Sequence, residues 1–469
     1  MRNVYTTALV QYGPIIVKAG ARPKRIGDEW LTVGNIRLSC PWLVFVSCMS
    51  IDTPEMLKEV VPGLLKNGVS FRVIRDQRAH YSLNAGLLEG ENFAKVLTLY
   101  PDNIPHAKTL VAALIGITNR YRGPEIDDGI RLGKTLYVGY AKMLDKCFGP
   151  VRLSIPDEKK IPFALCSDYP LKLKLGKCIG DKLYPYGVIA SNVKATLYKV
   201  VDKKTNTDKL VKRGRRYVAD DTRGRHTMHR LQWEKEVLRR LSHCVRVPQN
   251  ISYFEINGDP CISMDYIDGS SFQEIVDRSF RRRLWVFVYG KKKWAEISAK
   301  NRLYLFDSYL AILSIVERLH EIGYVHRDIT AANFLLPHKN DVDQRICVID
   351  AELMYSVKDR SPWPPFPRGT PGYIAPEQLN YGSLPITQSD NYSLAALLLF
   401  LVTGILPEQF EKEAGEDIRA MLKAVGLGRL VIDCILKGLS ASPPLRPTID
   451  QFREAIETEK LHLTQSTKL

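Results

Sequence analysis

The sequence predicts an α+β protein in two parts: a mixed N-terminal domain, then a small β-rich lobe followed by a larger helical one. Three observations carry this. At 469 residues the chain exceeds what one ordinary core fills. Residues 1 to about 160 alternate strand-like and helical runs. From about Ile179 strand patterns dominate to Tyr266, and helical patterns take over thereafter, the arrangement of two lobes around a cleft.

In the first part, WLVFVSC (Trp42–Cys48), VSFRVI (Val69–Ile74) and KVLTLY (Lys95–Tyr100) read as strands. TPEMLKEVVPGLL and HAKTLVAALIGITNRY read as helices, and IPDEKKIP and SDYP as joining loops. Further on, LYKVVDKKTNTDKLVKR reads as a strand pair. Leu231, Leu238 and Leu241 mark one helix face, and Tyr309, Ile312, Val316 and Leu319 another, with Gly323 placed to end it. The apolar run Leu394–Val402 is too short to span a bilayer and suits a buried helix.

With 45% hydrophobic and 25% charged residues the composition is that of a soluble globular protein, and the N-terminus lacks the order of a secretory signal. Nine dispersed cysteines without a C-x-x-C pair argue against a disulfide framework or structural zinc, and for mostly buried thiols in a reducing cytoplasm. The formal charge of +16 concentrates at Lys203–Arg230 and in the RRR and KKK runs of Arg281–Lys293. That pattern is either a solvated surface or a site for a polyanion, such as an acidic peptide. No zinc-finger spacing or RNA-binding aromatic signature supports nucleic acid.

HRDITAANFLL (His326–Leu336) sets Asp328 and Asn333 five residues apart after a helix, and RICVID ends a short strand at Asp350. Brought together, these groups meet the needs of magnesium-assisted phosphoryl transfer: oxygens for the metal and a carboxylate for the nucleophile. Glu234 falls on the apolar face of its helix, where an unpaired carboxylate is costly. A pair with Lys212, holding nucleotide phosphates, answers that cost. The alternatives are a rim-exposed Glu234 with Lys212 on the surface, or Glu236 as the partner.

These motifs, with GTPGYIAPE (Gly369–Glu377), SDNYSL around Asp390, and MDYIDG (Met264–Gly269), make residues from about 185 to 455 resemble a eukaryotic-type protein kinase. The resemblance implies Asp328 as catalytic base, Asn333 and Asp350 as metal ligands, and Lys212 with Glu234 as the strand lysine and its helix partner. It further implies a hinge at Asp265 and Tyr266, a Glu377–Arg446 pair, and ATP with Mg2+ as cofactors. Three departures stand out. Ala351 and Glu352 follow Asp350 where Phe and Gly are usual, and Thr330 replaces the catalytic-loop lysine. Ala190, Asn192 and Ala195 occupy the glycine-loop positions, where side chains hinder backbone approach to phosphates.

WLVFVSC, VSFRVI, AKVLTLYP, RGPEIDDG and LYVGYAKML make the first part resemble the phosphothreonine-lyase-like domain of class III lanthipeptide synthetases. In that family a kinase phosphorylates a precursor peptide, a lyase eliminates the phosphate, and a cyclase adds thiols. Lys95 is kept and could hold phosphate, but Phe45 stands where the family has His, Arg72 where it has Lys, and Gly139 where it has Arg. Elimination needs an acid and a base, so a degenerate lyase-like domain is expected, with His80 or His106 as the remaining proton donors to consider.

The resulting division is 1–160 lyase-like, 161–184 linker, 185–266 small lobe, and 267–469 large lobe with a tail, with no room for a cyclase after Ile449. The expectation is a cytoplasmic Ser/Thr kinase acting on a precursor peptide with an acidic leader, alongside separate lyase and cyclase proteins. The alternatives are a pseudokinase scaffold for that leader and a signalling kinase with an unrelated target.

Overall fold

A computed structural model describes residues 9–88, 90–141, 153–154, 161–164, 175, 177–180, 182–280, 294, 297–338, 343, 345–380, 383–412 and 418–466. The chain forms two compact units. One comprises Thr7–Leu231 with Tyr253–Ser263, and the other Gln232–Ser252 with Met264–Leu469. The expected fold class is present: an N-terminal α+β region, then a five-stranded sheet and a mainly helical remainder.

In the first unit an antiparallel sheet runs in the order Lys24–Ile26, Trp30–Val33, Ser70–Ile74, Leu97–Tyr100, Trp42–Val46, Leu136–Ala141, Ile130–Arg131. The central strand Trp42–Val46 is buried along its whole length, so both faces of the sheet are covered. Alternation explains how. Trp42, Val44 and Val46 share a core with Met56, Leu57 and Val60 of helix Thr53–Lys66 and with Leu110 and Leu114 of helix Ile104–Thr118. Leu43 and Phe45 point the other way, into a second core with Phe93, Tyr137, Val218 and Ala219. Helix starts follow the local chemistry: Asp76 and Asn103 accept the amides of Ala79 and His106 at 2.8 and 2.9 Å.

A second sheet lies in the same stretch of chain, in the order Ser252–Ile256, Asp259–Asp265, Thr207–Gly214, Ala195–Asp202, Leu183–Ser191. The predicted strand pair is its hairpin, with Tyr198, Val200 and Val211 in its core. Gly86, at φ +71°, turns beneath the neighbouring hairpin tip so closely that a Cβ there would lie 2.1 Å from a Val193 methyl.

The second unit is mainly helical. Helix Ala299–Glu321 buries Tyr309, Ile312, Val316 and Leu319, and ends where Gly323 takes φ +88°. The run Leu394–Val402 lies in helix Thr387–Thr403, buried throughout from Ser389 on and closed by the left-handed Gly404. No helix among the described residues is long and apolar enough to cross a membrane. Of the seven described cysteines five are buried, as expected of most of them, while Cys178 is exposed and Cys244 partly so. The Arg281–Lys293 runs lie outside the described residues.

Candidate active site

The loop after helix Ala299–Glu321 is fixed from below by one carboxylate. Asp390, fully buried in the first turn of helix Thr387–Thr403, accepts the backbone N–H groups of His326 and Arg327 at 2.8 Å each. It also lies 2.8 Å from His320 Nε2. Burial pushes its carboxyl upward, but the His320 and backbone hydrogen bonds outweigh that and hold it below the usual range. Arg327 takes a left-handed φ of +68°, and Gln378 Nε2 donates to its carbonyl at 3.0 Å. This unusual backbone turns Asp328 outward.

Asp328 is then gripped from two sides. Oδ1 accepts the Thr370 amide and hydroxyl at 2.9 and 2.8 Å. Asn333 Nδ2 donates to the Asp328 carbonyl at 2.9 Å and approaches Oδ2 at 3.3 Å. Burial and the nearby Asp350 carboxylate raise the Asp328 carboxyl, against the two Thr370 hydrogen bonds. Asp350 arrives because strand Phe334–Pro337 pairs with Cys347–Val348, and Ile349 N–H bonds Asn333 O at 3.0 Å. Asp350 itself sits at φ +61°.

The residues after Asp350 differ from the usual aromatic and glycine in a definite way. Ala351 is fully buried, and Glu352 is 9% exposed. Oxygens of Glu234, Asp350 and Glu352 lie within 4.8 Å of one another, the one such carboxylate grouping among the described residues. Glu234 is 1% exposed, so the inward reading of its helix face is right and the rim reading is not. Trp233 Nε1 donates to Met354 O at 2.8 Å, tying that helix to the same segment. Below, Glu377 pairs with Arg446 at 2.6 and 2.8 Å.

In the first unit, Leu197 faces Ala190 on one side and Lys212 on the other. Directly opposed residues share a sheet face, so Ala190 and Lys212 point the same way. Asn192 does something its sequence position did not suggest. Its Oδ1 accepts the amides of Lys194 and Ala195 at 2.9 Å each, so the hairpin turn is closed by its own side chain. At the hinge stretch, Asp265 N–H bonds Gln249 O at 2.9 Å, and Asn250 Nδ2 bonds Asp265 Oδ2 at 2.8 Å. Tyr266 follows, half-buried.

The face of the first sheet around Phe45 is closed. Phe45 is 2% exposed, under Val218 and Ala219. Lys95, 3% exposed, bonds Asp128 Oδ2 at 2.6 Å and Glu91 O at 2.5 Å, with its ammonium 4.8 Å from the Phe45 ring. Arg72 bonds Asn92 at 2.8 Å and stacks 4.1 Å from Trp30. Gly139 pairs opposite Leu43. His80 is buried between Tyr12 and Cys48 O, its pKa lowered by burial to about 4, and His106 pairs with Asp102. Neither is placed with Phe45 on that face.

Thr370, Glu352 and His320 were missed as site residues. Thr370 carried a signal, a hydroxyl in the recognised GTPGYIAPE. His320 carried none: Asp390 was marked by SDNYSL, but only the fold joins it to a histidine 70 residues away.

The residues 191–452 match the protein kinase domain family, more than half of the chain, so the chain belongs to that family. Residues 23–149 match the RamC N-terminal domain. The chain is similar to serine/threonine-protein kinase pkn3 of Myxococcus xanthus, 26% identical over 52% of this chain and 44% of that one. Serine/threonine-protein kinase PknA of a Nostoc species is 27% identical over 40% of this chain and 31% of that one. A probable SapB synthase of Streptomyces coelicolor is 21% identical over 82% of this chain and 43% of that one. The chain thus spans less than half the length of these relatives.

Proposed function

We propose that this chain is an ATP- and magnesium-dependent Ser/Thr kinase that phosphorylates a ribosomal precursor peptide in lanthipeptide-type biosynthesis. The observation that carries the kinase reading is Asp328, held by Thr370 and Asn333 beside Asp350. In this reading Asp328 orients the substrate hydroxyl through Oδ2 and accepts its proton, for which a raised carboxyl pKa is favourable. Asn333 and Asp350 would hold magnesium. The fit is chemical: two crowded carboxylates gain from a cation between them, and the Asn333 orientation leaves Oδ1 free of any donor among the described residues. Lys212 would hold nucleotide phosphates, with Glu234 as its partner, Ala190 and Asn192 would cover them, and Asp265 and Tyr266 would form the hinge. A bound nucleotide–magnesium complex would supply the transferable phosphoryl group and neutralise its developing charge.

Support for a biosynthetic peptide comes from the probable SapB synthase match, which runs through both parts of the chain, and from the RamC N-terminal domain match. In this reading residues 1–160 act as a degenerate lyase-like domain, and separate lyase and cyclase proteins complete the product. The test is magnesium-dependent transfer of phosphate to Ser/Thr-rich precursor peptides, read by peptide mass. No transfer to any such peptide would overturn it. A pseudokinase scaffold is the second reading, favoured by the hairpin turn whose Lys194 and Ala195 amides are already bonded to Asn192. ATP binding without turnover would select it.

A further inference from the structure

We infer that a cationic cavity in the first unit binds acidic or phosphorylated side chains of the peptide substrate. This rests on the peptide-kinase reading above and adds to it a recruitment site at a distance from the catalytic loop in the sequence. The cavity holds about 420 Å³ and is lined by Arg122, Arg131, Lys134, Arg213, Arg215 and Arg216, with Glu125 and Asp259 as the only carboxylates on its wall. That volume suits one or two side chains.

The six cations are unequally matched. Arg215 is held by both Asp127 oxygens, at 2.8 and 2.9 Å, and by Glu125 O at 2.9 Å. Arg213 bonds Asp259 at 2.8 Å. These two are fixed parts of the wall. The Arg216 guanidinium makes a loose 3.7 Å approach to the same Asp259, whose charge is already shared, and lies 5.8 Å from the Tyr217 ring. Arg122 is mostly exposed and lies 3.4 Å from Asp52. Arg131 bonds only the carbonyls of Gly133 and Lys134, and Lys134 is exposed with no carboxylate in reach among the described residues. Crowding cations without matching carboxylates is unfavourable unless an anion is taken up. Guanidinium forks match carboxylate and phosphate oxygens in pairs.

The arrangement favours a peptide over a nucleic acid. Its charges converge on one pocket, whereas a nucleic-acid backbone needs them spread along a track. Carboxylate runs and phosphoserine share the chemistry recognised, and the test separates them.

Full-length protein without ATP would be titrated into fluorescein-labelled dodecapeptides, with binding read by anisotropy. One peptide carries four consecutive Glu, one a single phosphoserine, and one four Gln; an oligouridine RNA of equal charge is the fourth probe. R122E/K134E reverses the two exposed cations of the wall, and R122Q/K134Q is a gentler version should the first fold poorly. K66E/K108E makes the same charge change on exposed helix positions elsewhere. The cavity pairs should weaken the anionic peptides by about tenfold, and the distant pair by less than about twofold. Affinity should also fall as salt rises. Tighter binding of the Glu peptide would identify an acidic segment, and of the phosphoserine peptide a phosphorylated product. Equal binding of the Gln peptide, equal loss in K66E/K108E, or tighter binding of the RNA would overturn the inference. Binding without phosphate transfer would sink the kinase reading and leave the cavity standing. Transfer to a peptide whose binding ignores the charge reversals would sink the cavity alone.

Discussion

Two regions of this chain resemble places where a hydroxyl is phosphorylated or its phosphate removed, and they differ in how their charges are matched. Around Asp328, burial and the neighbouring Asp350 carboxylate raise the Asp328 carboxyl, while hydrogen bonds from Thr370 and Asn333 fix its geometry. Around Phe45 the charged groups are cations set under apolar side chains. The Lys95 ammonium is closed off by Asp128 and Glu91 O, Arg72 is tied to Asn92 and Trp30, and Val218 with Ala219 covers the ring. One region sets two carboxylates side by side in a polar loop, and the other holds its cations under apolar cover, against one carboxylate, a carbonyl, an amide and aromatic rings. Keeping a lysine therefore says little about function until its neighbours are known.

The sharpest way to break the contrast is Asp328→Asn. It keeps the size and the Thr370 contact but cannot accept a proton, so phosphate transfer should fall by about 10²–10⁴-fold while ATP binding persists. Transfer at the wild-type rate, measured by peptide mass, would remove Asp328 from its proposed role. Next in size, Arg446→Met leaves Glu377 half-buried without its partner, and should cost about 3 kcal/mol of stability in urea unfolding monitored by circular dichroism. A shift smaller than about 1 kcal/mol would mean that the pair is well solvated.

A third experiment probes the first unit's polar interior. Asp220 is buried, accepts Ser50 N–H at 2.5 Å and Asn84 Nδ2 at 2.8 Å, and has its pKa raised by burial to about 6. A raised acid binds more protons folded than unfolded, so its contribution worsens as pH rises from about 4 to 6. His80, touching the same Asn84 at 3.0 Å, is lowered by burial to about 4, so its contribution worsens as pH falls from about 6.5 to 4. The two slopes oppose. Asp220→Asn should unmask the His80 slope, giving a stability loss of up to about 3 kcal/mol between pH 6.5 and 4 relative to wild type. Parallel pH profiles for the two proteins would refute this coupling.

The smallest expected effect is the most pointed. Phe45→His supplies the histidine that the lyase resemblance would expect there, yet its side chain would still lie under Val218 and Ala219. Incubated with ATP, magnesium and precursor peptide, it should give a phosphorylated product with no later loss of phosphoric acid. A dehydrated peptide would show the face to be open.

Much of the helical unit was legible in sequence because its signals are local or ordered. Glu234 betrayed itself by sitting on a leucine face, the Leu394–Val402 run by its unbroken apolarity, and the Asp328–Asn333 loop by its spacing. The matching of charges was not legible. Asp128 reaches Lys95 across 33 residues and Thr370 reaches Asp328 across 42, contacts that only the tertiary fold decides. Asn192 could have been read, since an Asn two residues before a turn's amides often bonds them, but its place in a glycine-loop position drew attention to its bulk instead.

The seam at Gly86 and Val193 bears on where this gene can be cut. Ala219 N–H bonds Asn84 O at 3.0 Å, Arg215 reaches Asp127, and Val193, Val218 and Ala219 bury apolar surface against Phe45, Phe93 and Tyr137. A fragment beginning at residue 185 would carry those valines uncovered, a sticky strip of the sort that drives misassembly. Such a fragment should be recovered as aggregates when made alone. Co-expressed with residues 1–184, it should become recoverable as a non-covalent pair, because the seam supplies the missing surface.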